Sequence, residues 1–351
     1  MSGDQEGSGR SGPAVARPPL VADVFLRDGL QAVDPERGGA LFPTSVKLEI
    51  VAALDACGVP EVEVTGFVHP RVIPNLADAD ELARRAVASR PRARIRALVP
   101  NLRGAERALG AGVRKLAWLI AASPTYQRLN SNMDQERGLA EGAEVAREAA
   151  AAGAEMVAAV ATAFVCPYEG VIPADRLLSV VGRVADLGVA ELWLGESVGL
   201  AWPGLVQDRV ARISERFPRL RVGVHLHTLA GLAPANALAA LAAGAQMLEG
   251  AVGGVGAGIA LPHPSLEFGN YATEDLNYLL QMQGIETGID QVRLAELGGR
   301  VREMAGGGGS RAAHFLSLER YLERSRADLA ERERIRPGDS RARAAAGTEG
   351  G

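Results

Sequence analysis

The sequence predicts an α/β fold of the closed (β/α)8 type, a TIM barrel, with a disordered N-terminal tail and an extra C-terminal helix. Between Val21 and Leu297, short β-branched runs alternate about eight times with Ala- and Leu-rich helical stretches, a pattern typical of parallel strand–helix units. The repeated span, about 280 residues, is the length of one such barrel. Polar residues also follow several strand candidates. A barrel gathers all its strand ends at one mouth, whereas the alternative, a doubly wound open sheet, does so less readily.

The chain begins with residues 1–19, which are rich in Gly, Ser, Pro and Arg and show no apolar periodicity. Such a segment cannot bury enough apolar surface to offset the entropy of ordering, so it predicts a flexible tail. The barrel domain is expected over residues 20–300. Its strand candidates are Val21–Leu26, Glu61–Thr65, Ile95–Val99, Lys115–Ile120, Glu155–Ala161, Glu191–Gly195, Arg221–His225 and Gln246–Gly250.

Helical periodicity fills the intervals between these strand candidates, as parallel pairing requires. After the barrel, residues 301–336 form an expected helical extension, in which apolar residues recur among charges from His314 to Arg334. This helix could dock on the barrel or on a second subunit. Residues 337–351 predict a disordered basic tail. The helix candidates of the barrel are Ser45–Ala56, Ala79–Ala88, Gly104–Leu109, Gln135–Ala152, Pro173–Leu187, Gly204–Arg216 and Ala233–Ala243.

Composition excludes several classes of function. The formal net charge is −4 and the basic residues form no long run within the periodic body, which argues against a nucleic-acid partner. Two cysteines are too few for a disulfide framework, and no apolar run reaches the roughly 18 residues of a membrane helix. No secretory signal pattern opens the chain. We therefore expect a cytoplasmic protein without a membrane partner.

A His-x-His pair, His225 and His227, ends the seventh strand candidate. Residues i and i+2 of a strand point to the same side, so both imidazoles can face one ion. The plain alternative is two satisfied polar residues near a strand end. The first strand candidate ends in Arg27-Asp28, which adds charged groups at the same mouth.

Six motifs occur in an order that carries a family resemblance. Beside His225-x-His227 they are Arg27-Asp28-Gly29-Leu30-Gln31, Glu63-Val64-Thr65-Gly66-Phe67-Val68, Pro100-Asn101, Cys166-Pro167-Tyr168-Glu169-Gly170 and Gly269-Asn270-Tyr271-Ala272-Thr273-Glu274-Asp275. The chain resembles 3-hydroxy-3-methylglutaryl-CoA (HMG-CoA) lyases, within the metal-dependent aldolase and Claisen-condensing barrels. The resemblance covers about residues 21–297, and six motifs in order are far more specific than any one of them.

The resemblance implies a metal site whose ligands are Asp28, His225, His227 and Asn270. Two imidazoles and two oxygen donors suit Mg²⁺ or Mn²⁺. The implied reaction breaks or forms a carbon–carbon bond next to a carbonyl.

Two further roles follow from the same resemblance. Arg27 would stabilise the oxygen of a thioester enolate, and Glu63 would orient Arg27 or relay a proton. For Arg27 the plain alternative is a structural salt bridge with Glu63, and both roles can hold at once.

The chain departs from the family pattern at several places. The Gly-rich loop after the eighth strand candidate lacks the family's cysteine and is about three residues longer before Asn270. His263, between two prolines of this loop, is a candidate replacement as acid or base, since its ordinary pKa suits proton exchange at neutral pH. A surface loop histidine is the alternative. Near the fifth strand, Val157–Val160 stand where the family carries an arginine and an aromatic residue, which suggests a different acyl group. Glu196-Ser197 replace Asp-Thr, and Thr228 stands where Asp follows the family's His-x-His.

Three functions stay open at this point. The first is a lyase that cleaves an HMG-CoA-like 3-hydroxyacyl-CoA to acetyl-CoA and a 3-oxo acid. The second is an aldolase or an enzyme that condenses an acyl-CoA with a 2-oxo acid. The third is a barrel that keeps its metal without turnover. The expected partner is a small acyl-CoA, hydroxy-acid or oxo-acid substrate, and a homodimer is compatible with the sequence.

Overall fold

Eight parallel strands close into a barrel in a computed structural model that describes residues 17–33, 35, 39–256, 258, 260–261, 269–317, 319–320 and 322–323. Each strand pairs with its neighbours in chain order, and β8 closes the barrel against β1 from Leu20↔Met247 to Asp23↔Gly250. The TIM-barrel prediction is confirmed. The strands are β1 Leu20–Asp23, β2 Glu61–Gly66, β3 Arg94–Leu98, β4 Lys115–Ala121, β5 Glu155–Ala161, β6 Glu191–Glu196, β7 Arg221–Leu226 and β8 Met247–Gly250.

Helices cover the outside of the barrel and bury their apolar faces against the strands. A short helix after β4 does not appear among the helix candidates, although the sequence carries its start signals. Pro124 occupies the first turn, and Ser123 Oγ caps the helix by accepting from Tyr126 N at 3.0 Å. The helices are α1 Thr44–Ala56, α2 Ala79–Ala88, α3 Leu102–Gly110, α4 Pro124–Ser131, α5 Gln135–Ala151, α6 Ala174–Ala185, α7 Pro203–Arg216, α8 Ala233–Ala242, α9 Thr273–Met282, α10 Gln291–Ala305 and α11 Ala312–Phe315.

The first strand is shorter than predicted, because β1 ends at Asp23 rather than Leu26. Residues Phe25–Gly29 form a single π-helical turn, in which the backbone N–H groups of Arg27 and Asp28 donate to Val24 O at 3.1 and 2.7 Å. The Asp23 carboxylate helps to end the strand by accepting from Phe25 N at 3.0 Å. Consecutive residues of a strand point to opposite faces, so only the turn lets Arg27 and Asp28 both face the barrel mouth.

The inside of the barrel holds charged side chains as well as apolar ones. A small apolar cluster surrounds Trp193, whose ring lies over Gly223 so closely that a Cβ there would approach it to 2.6 Å. Above and around this cluster, buried carboxylates and cations project inward from five strands. They are Glu61 and Glu63 on β2, Arg96 on β3, Lys115 on β4, Glu191 on β6 and Glu249 on β8.

The C-terminal region is described only in part. Helix α10 ends at Ala305 with Gly306 in the left-handed region (φ 75°), and Gly309 N approaches Gly254 O at 3.4 Å. The glycine-rich segment therefore packs on the loop after β8. Beyond α11, most of the predicted helix 314–334 lies outside the described residues, as do most of residues 1–19 and all of 337–351. Within the described part of the chain, no helix is both long and apolar enough to cross a membrane.

Candidate metal centre and active-site cavity

Asp28, His225 and His227 converge at the carboxyl-terminal mouth of the barrel, and one ligand atom of each lies within 4.8 Å of the others. The two Nε2 atoms of His225 and His227 are 2.9 Å apart, and His225 Nε2 lies 3.9 Å from Asp28 Oδ2. The histidines are brought together by the strand end of β7, as the i, i+2 spacing predicts. Asp28 reaches them from the π-helical turn after β1.

Asn270, the fourth candidate ligand, is joined to the same place by the backbone. It forms an isolated bridge with His227, and the Tyr271 N–H donates to Leu226 O at 2.8 Å. The Asn270 amide nitrogen donates to Asp28 Oδ2 at 2.8 Å and to Val255 O at 3.1 Å. Its Oδ1 is buried and accepts no hydrogen bond from any residue that the structure describes. A buried amide oxygen without a partner is costly unless something else binds it.

The loop after β8 closes over this cluster at Gly256. Its φ of +151° lies in a region that favours glycine, and a Cβ there would collide with the Asn270 amide and approach Asp28 Oδ2 to 3.1 Å. The sequence therefore leaves room for a donor cluster at this point. The donors fit a divalent cation, because they supply two imidazole nitrogens, a carboxylate and an amide oxygen that lacks another partner.

Electrostatics favour the protonation states that a metal site needs at His227 and Asp28. Burial and the charge of His225 lower the pKa of His227 to about 3, so this imidazole is neutral at physiological pH. Burial alone would raise the pKa of Asp28, but the charge of Arg27 and the two histidines hold it below its ordinary value. For His225, burial is outweighed by the hydrogen bond and charge of Glu249, which raise its pKa.

Arg27 lies beside the donor cluster with its guanidinium held on two sides. Its Nε donates to Glu63 Oε1 and one terminal nitrogen donates to Asp28 Oδ1. Burial would lower its pKa, but the charges of Glu63 and Asp28 raise it above the ordinary value. The salt bridge expected as the plain alternative is therefore present, and it holds a permanent cation next to the candidate metal centre.

A cavity of about 330 Å³ opens above these groups. Arg27, Asp28, His225 and His227 line one side, together with Glu249. Much of the remaining described wall is apolar and comes from β3, β4, β5, β6 and neighbouring loops: Val68, Val72, Ile73, Leu98, Trp118, Leu119, Tyr126, Met133, Ala159, Ala161 and Trp193.

The two remaining sequence candidates differ in what the structure says of them. Glu63 is buried and pairs with Arg27, so it has the geometry of an orienting group. His263 lies outside the described residues, and its role as acid or base stays a prediction. One described residue of its loop, Gly258, lines the cavity, and the loop is held nearby by Tyr168 Oη, which donates to Ala260 O at 2.6 Å.

Sequence reasoning missed Glu249 and Arg96, which act on the site from below. Glu249 Oε2 lies 2.9 Å from His225 Nδ1, and Arg96 contacts both Glu249 and Glu63. A signal was present, since charged residues at alternate positions of an apolar strand, such as Glu61 and Glu63, point to the same face. The sequence could not show that this face is the barrel interior.

Glu274 binds the loop that closes the site, and the protonation state of its carboxyl group can be tested through the pH dependence of stability. Its buried carboxylate accepts from Gly253 N at 3.1 and 3.2 Å, and burial, with a smaller effect of Asp275, raises its pKa to about 8. A carboxyl whose pKa is higher in the folded than in the unfolded state stabilises the fold at low pH, and this contribution is lost as pH rises from about 4.5 to 8. We expect Glu274→Gln to gain about 3 kcal/mol in unfolding free energy relative to wild type between pH 5 and pH 8.

Urea unfolding of both proteins at pH 5, 7 and 8 measures this difference. Glu303→Gln, the same carboxylate-to-amide change at an exposed position of α10, serves as the control. A difference between Glu274→Gln and wild type that stays constant across this range would contradict the protonated state of Glu274.

Fold and site together define a TIM-barrel protein with a candidate divalent-metal centre at the carboxyl ends of its strands. A family model described as HMGL-like matches residues 19–301. The chain therefore belongs to the HMGL-like family.

Similar proteins were found both among curated sequences and among solved structures. Mitochondrial hydroxymethylglutaryl-CoA lyase of Mus musculus is 32% identical over 278 residues, which cover 79% of this chain and 83% of that protein. The (R)-citramalyl-CoA lyase of Chloroflexus aurantiacus is 31% identical over 319 residues, covering 86% and 98%. A solved HMG-CoA lyase from A. baumannii, in complex with coenzyme A and 3-methylmalate, matches with a TM-score of 0.79 at 29% identity, covering 88% of this chain and 98% of that one. The resemblance inferred from the motifs is confirmed.

Proposed function

We propose that this protein is a divalent-metal-dependent carbon–carbon lyase that cleaves an HMG-CoA-like 3-hydroxyacyl-CoA into acetyl-CoA and a 3-oxo acid. The observation that carries the proposal is the placement of Arg27 beside the cluster of Asp28, His225, His227 and Asn270, the first three of which line the same side of the cavity as Arg27. The names of the relatives support the same chemistry, since HMG-CoA and citramalyl-CoA lyases both act on CoA thioesters.

Asp28, His225, His227 and Asn270 would hold Mg²⁺ or Mn²⁺. When bound, such an ion supplies Lewis-acid polarisation of a hydroxyl or carboxylate oxygen of the substrate. The donor cluster lies at the same cavity wall as Arg27. The substrate's C3 hydroxyl, at the metal, and its thioester carbonyl, at Arg27, would therefore be bound next to each other.

Arg27 would stabilise the charge that develops during cleavage. As the bond between C2 and C3 breaks, its electron pair moves to C2 and delocalises onto the thioester oxygen, while the C3 hydroxyl loses its proton and becomes a carbonyl. A guanidinium that cannot lose its proton is suited to that oxygen, and Glu63 fixes its direction by accepting from Nε. The enolate then takes up a proton at C2 to give acetyl-CoA.

One acid–base group can serve both proton transfers, because the proton leaves the hydroxyl before another is delivered to C2. We propose His263 for this role, in the loop where the family's cysteine is missing. Gly258, in the same loop before His263, lines the cavity, which supports the placement. A histidine also has a suitable ordinary pKa.

The proposal is tested with metal-stripped protein to which Mg²⁺ or Mn²⁺ is added back. HMG-CoA and citramalyl-CoA are incubated with the protein, and acetyl-CoA and the oxo acids are followed by mass spectrometry. We expect metal-dependent release of acetyl-CoA from at least one thioester. In a parallel incubation, acetyl-CoA and a 2-oxo acid are supplied instead. Release of free CoA there, with no cleavage of HMG-CoA or citramalyl-CoA, would indicate the condensing reaction. Absence of both reactions, together with absence of deuterium exchange at the α-carbon of acetyl-CoA, would overturn the enzymatic assignment.

Ala159 gives a second test, because it lines the cavity on β5 opposite the metal ligands. The apolar wall around it includes Trp118 and Trp193 and is where the acyl group would pack. We expect Ala159→Phe to fill part of the cavity and lower kcat/KM by roughly tenfold or more, equivalent to about 1.4 kcal/mol or more. Mn²⁺ affinity should stay unchanged, since Ala159 lies on β5 and none of the four candidate ligands does. Unchanged kcat/KM would place the acyl group elsewhere.

A further inference from the structure

Arg96 lies in the barrel interior, fully buried on β3, and its guanidinium contacts three carboxylates. Its Nε donates to Glu63 Oε2 at 2.6 Å and Nη1 donates to Glu61 Oε1 at 3.0 Å. Nη2 donates to Glu249 Oε1. No other cation among the described residues contacts both Glu63 and Glu249.

Two of these carboxylates use their second oxygen to hold a group of the site. Glu63 Oε1 accepts from Arg27 Nε, and Glu249 Oε2 lies 2.9 Å from His225 Nδ1. Because Nδ1 of His225 faces Glu249, its Nε2 is left to point toward His227 and Asp28. Arg96 therefore stands at the centre of one continuous chain of contacts, from the guanidinium of Arg27 to the metal-facing nitrogen of His225.

The chemistry of Arg96 suits a fixed spacer. A guanidinium is planar and rigid, so two carboxylates bound to different nitrogens of it are held at a set separation and angle. Trp193 limits its movement from one side, with the Arg96 Cζ 5.2 Å from the ring centroid. Lysine at this position would carry the same charge but could not bridge Glu63 and Glu249 in one plane.

We infer that Arg96 is a positioning residue that fixes Arg27 and His225 relative to each other through Glu63 and Glu249. The inference rests on the proposed metal centre but not on turnover. Groups that orient a ligating histidine affect metal affinity, typically by 10- to 100-fold. A merely structural role would change stability and leave the affinity of the folded protein alone.

Lys115 provides the matched control. It is equally buried in the barrel and donates to Glu61 Oε2 at 2.6 Å and to Glu191 Oε2 at 2.5 Å. It contacts neither Glu63 nor Glu249 in the described structure. Arg96→Met and Lys115→Met each remove one buried cation and replace it with an apolar chain of similar length.

The experiment titrates the metal-free full-length variants with Mn²⁺ and measures free Mn²⁺ by electron paramagnetic resonance, so no substrate or turnover is needed. We expect Mn²⁺ dissociation constants at least tenfold higher than wild type for Arg96→Met, and within about threefold of wild type for Lys115→Met. Unfolding midpoints in urea should fall for both variants. Equal Mn²⁺ affinities of the two variants would overturn the positioning role.

Two milder variants keep the test decisive if Arg96→Met does not fold. Arg96→Lys preserves the charge and Glu249→Gln preserves the shape, and both should raise the Mn²⁺ dissociation constant at least tenfold. Wild-type affinity in both would overturn the inference. If the wild-type protein itself binds no Mn²⁺, the proposed metal centre is wrong. This outcome differs from failure of the Arg96 inference alone, in which wild type and variants all bind Mn²⁺ with equal affinity.

Discussion

Asp28→Ala is expected to lower kcat/KM for the cleaved thioester on the order of 1,000-fold, equivalent to about 4 kcal/mol of transition-state stabilisation. Asp28 supplies the only carboxylate of the described donor cluster, and its Oδ2 also accepts from the Asn270 amide at 2.8 Å. Removal of the Asp28 carboxylate takes away one candidate ligand, and it also removes the hydrogen bond that holds Asn270, a second candidate ligand, in place. Mn²⁺ affinity should fall together with activity, and added metal should restore part of the loss.

Asp28→Asn is the matched variant, since it keeps the volume and can still contact Arg27. His263→Ala separates metal binding from proton transfer: it should lower kcat by 100-fold or more, as expected for loss of a general acid–base, with Mn²⁺ affinity unchanged. Full activity of Asp28→Ala would remove the metal centre from the mechanism. Full activity of His263→Ala would leave the lyase proposal standing and assign the proton transfers to another group.

Arg27→Met is expected to lower kcat by roughly 1,000-fold, the size of effect seen when one donor to a developing oxyanion is lost. Arg27→Lys should recover only part of this loss, because an ammonium cannot donate to Glu63 and Asp28 and face a substrate oxygen in the same fixed plane. Steady-state kinetics on the cleaved thioester, with deuterium exchange at the acetyl-CoA α-carbon, measures both chemical steps.

The controls separate catalysis from folding. Arg27 is buried between carboxylates, so Arg27→Met also leaves Glu63 without one partner and should lower the urea midpoint. Arg27→Lys keeps the charge and should lose less stability. Exchange at the α-carbon that proceeds at the wild-type rate in Arg27→Met would contradict the role of Arg27 in enolate stabilisation.

Much of the fold could be predicted from local patterns. Strand–helix alternation gave eight strands close to their observed bounds, because parallel barrel strands are short, apolar and bounded by turn residues. The end of β1 could not be predicted in this way. Val24, Phe25 and Leu26 extend the apolar run, and the hydrogen bonds that Asp23 accepts from Phe25 N and Val252 N help to turn the chain there.

Some residues of the candidate site could likewise be predicted from local patterns, and others could not. The histidines could be paired from their spacing, and Asp28 could be placed at the same mouth from the end of the first strand candidate, whereas Asn270 became a candidate only through the family resemblance. Arg96 and Glu249 were missed because their roles depend on contacts 153 residues apart in sequence. A charged residue inside an apolar strand shows that something unusual is buried, but its partners are set by the closure of the barrel.

One departure from the family pattern, the segment Val157–Val160, lies partly at the apolar wall that we propose for the acyl group. Val157 does not line the described cavity wall; it packs in the apolar cluster with Trp193, while Ala159 borders the cavity. The expected change in acyl preference therefore depends more on Ala159 than on Val157. This is why Ala159→Phe is the sharper probe of substrate size.

The charged interior also determines how this barrel can change by mutation. A single loss among Glu61, Arg96 and Lys115 leaves neighbouring buried charges with fewer partners, at a cost of up to about 3–5 kcal/mol. That cost is a large fraction of the whole stability of a typical domain, about 5–15 kcal/mol. Replacement of all partners together by apolar residues can be neutral or stabilising. These buried charged residues should therefore tolerate simultaneous replacement better than single substitutions. Recombination or designed multiple substitution is then the practical way to alter them.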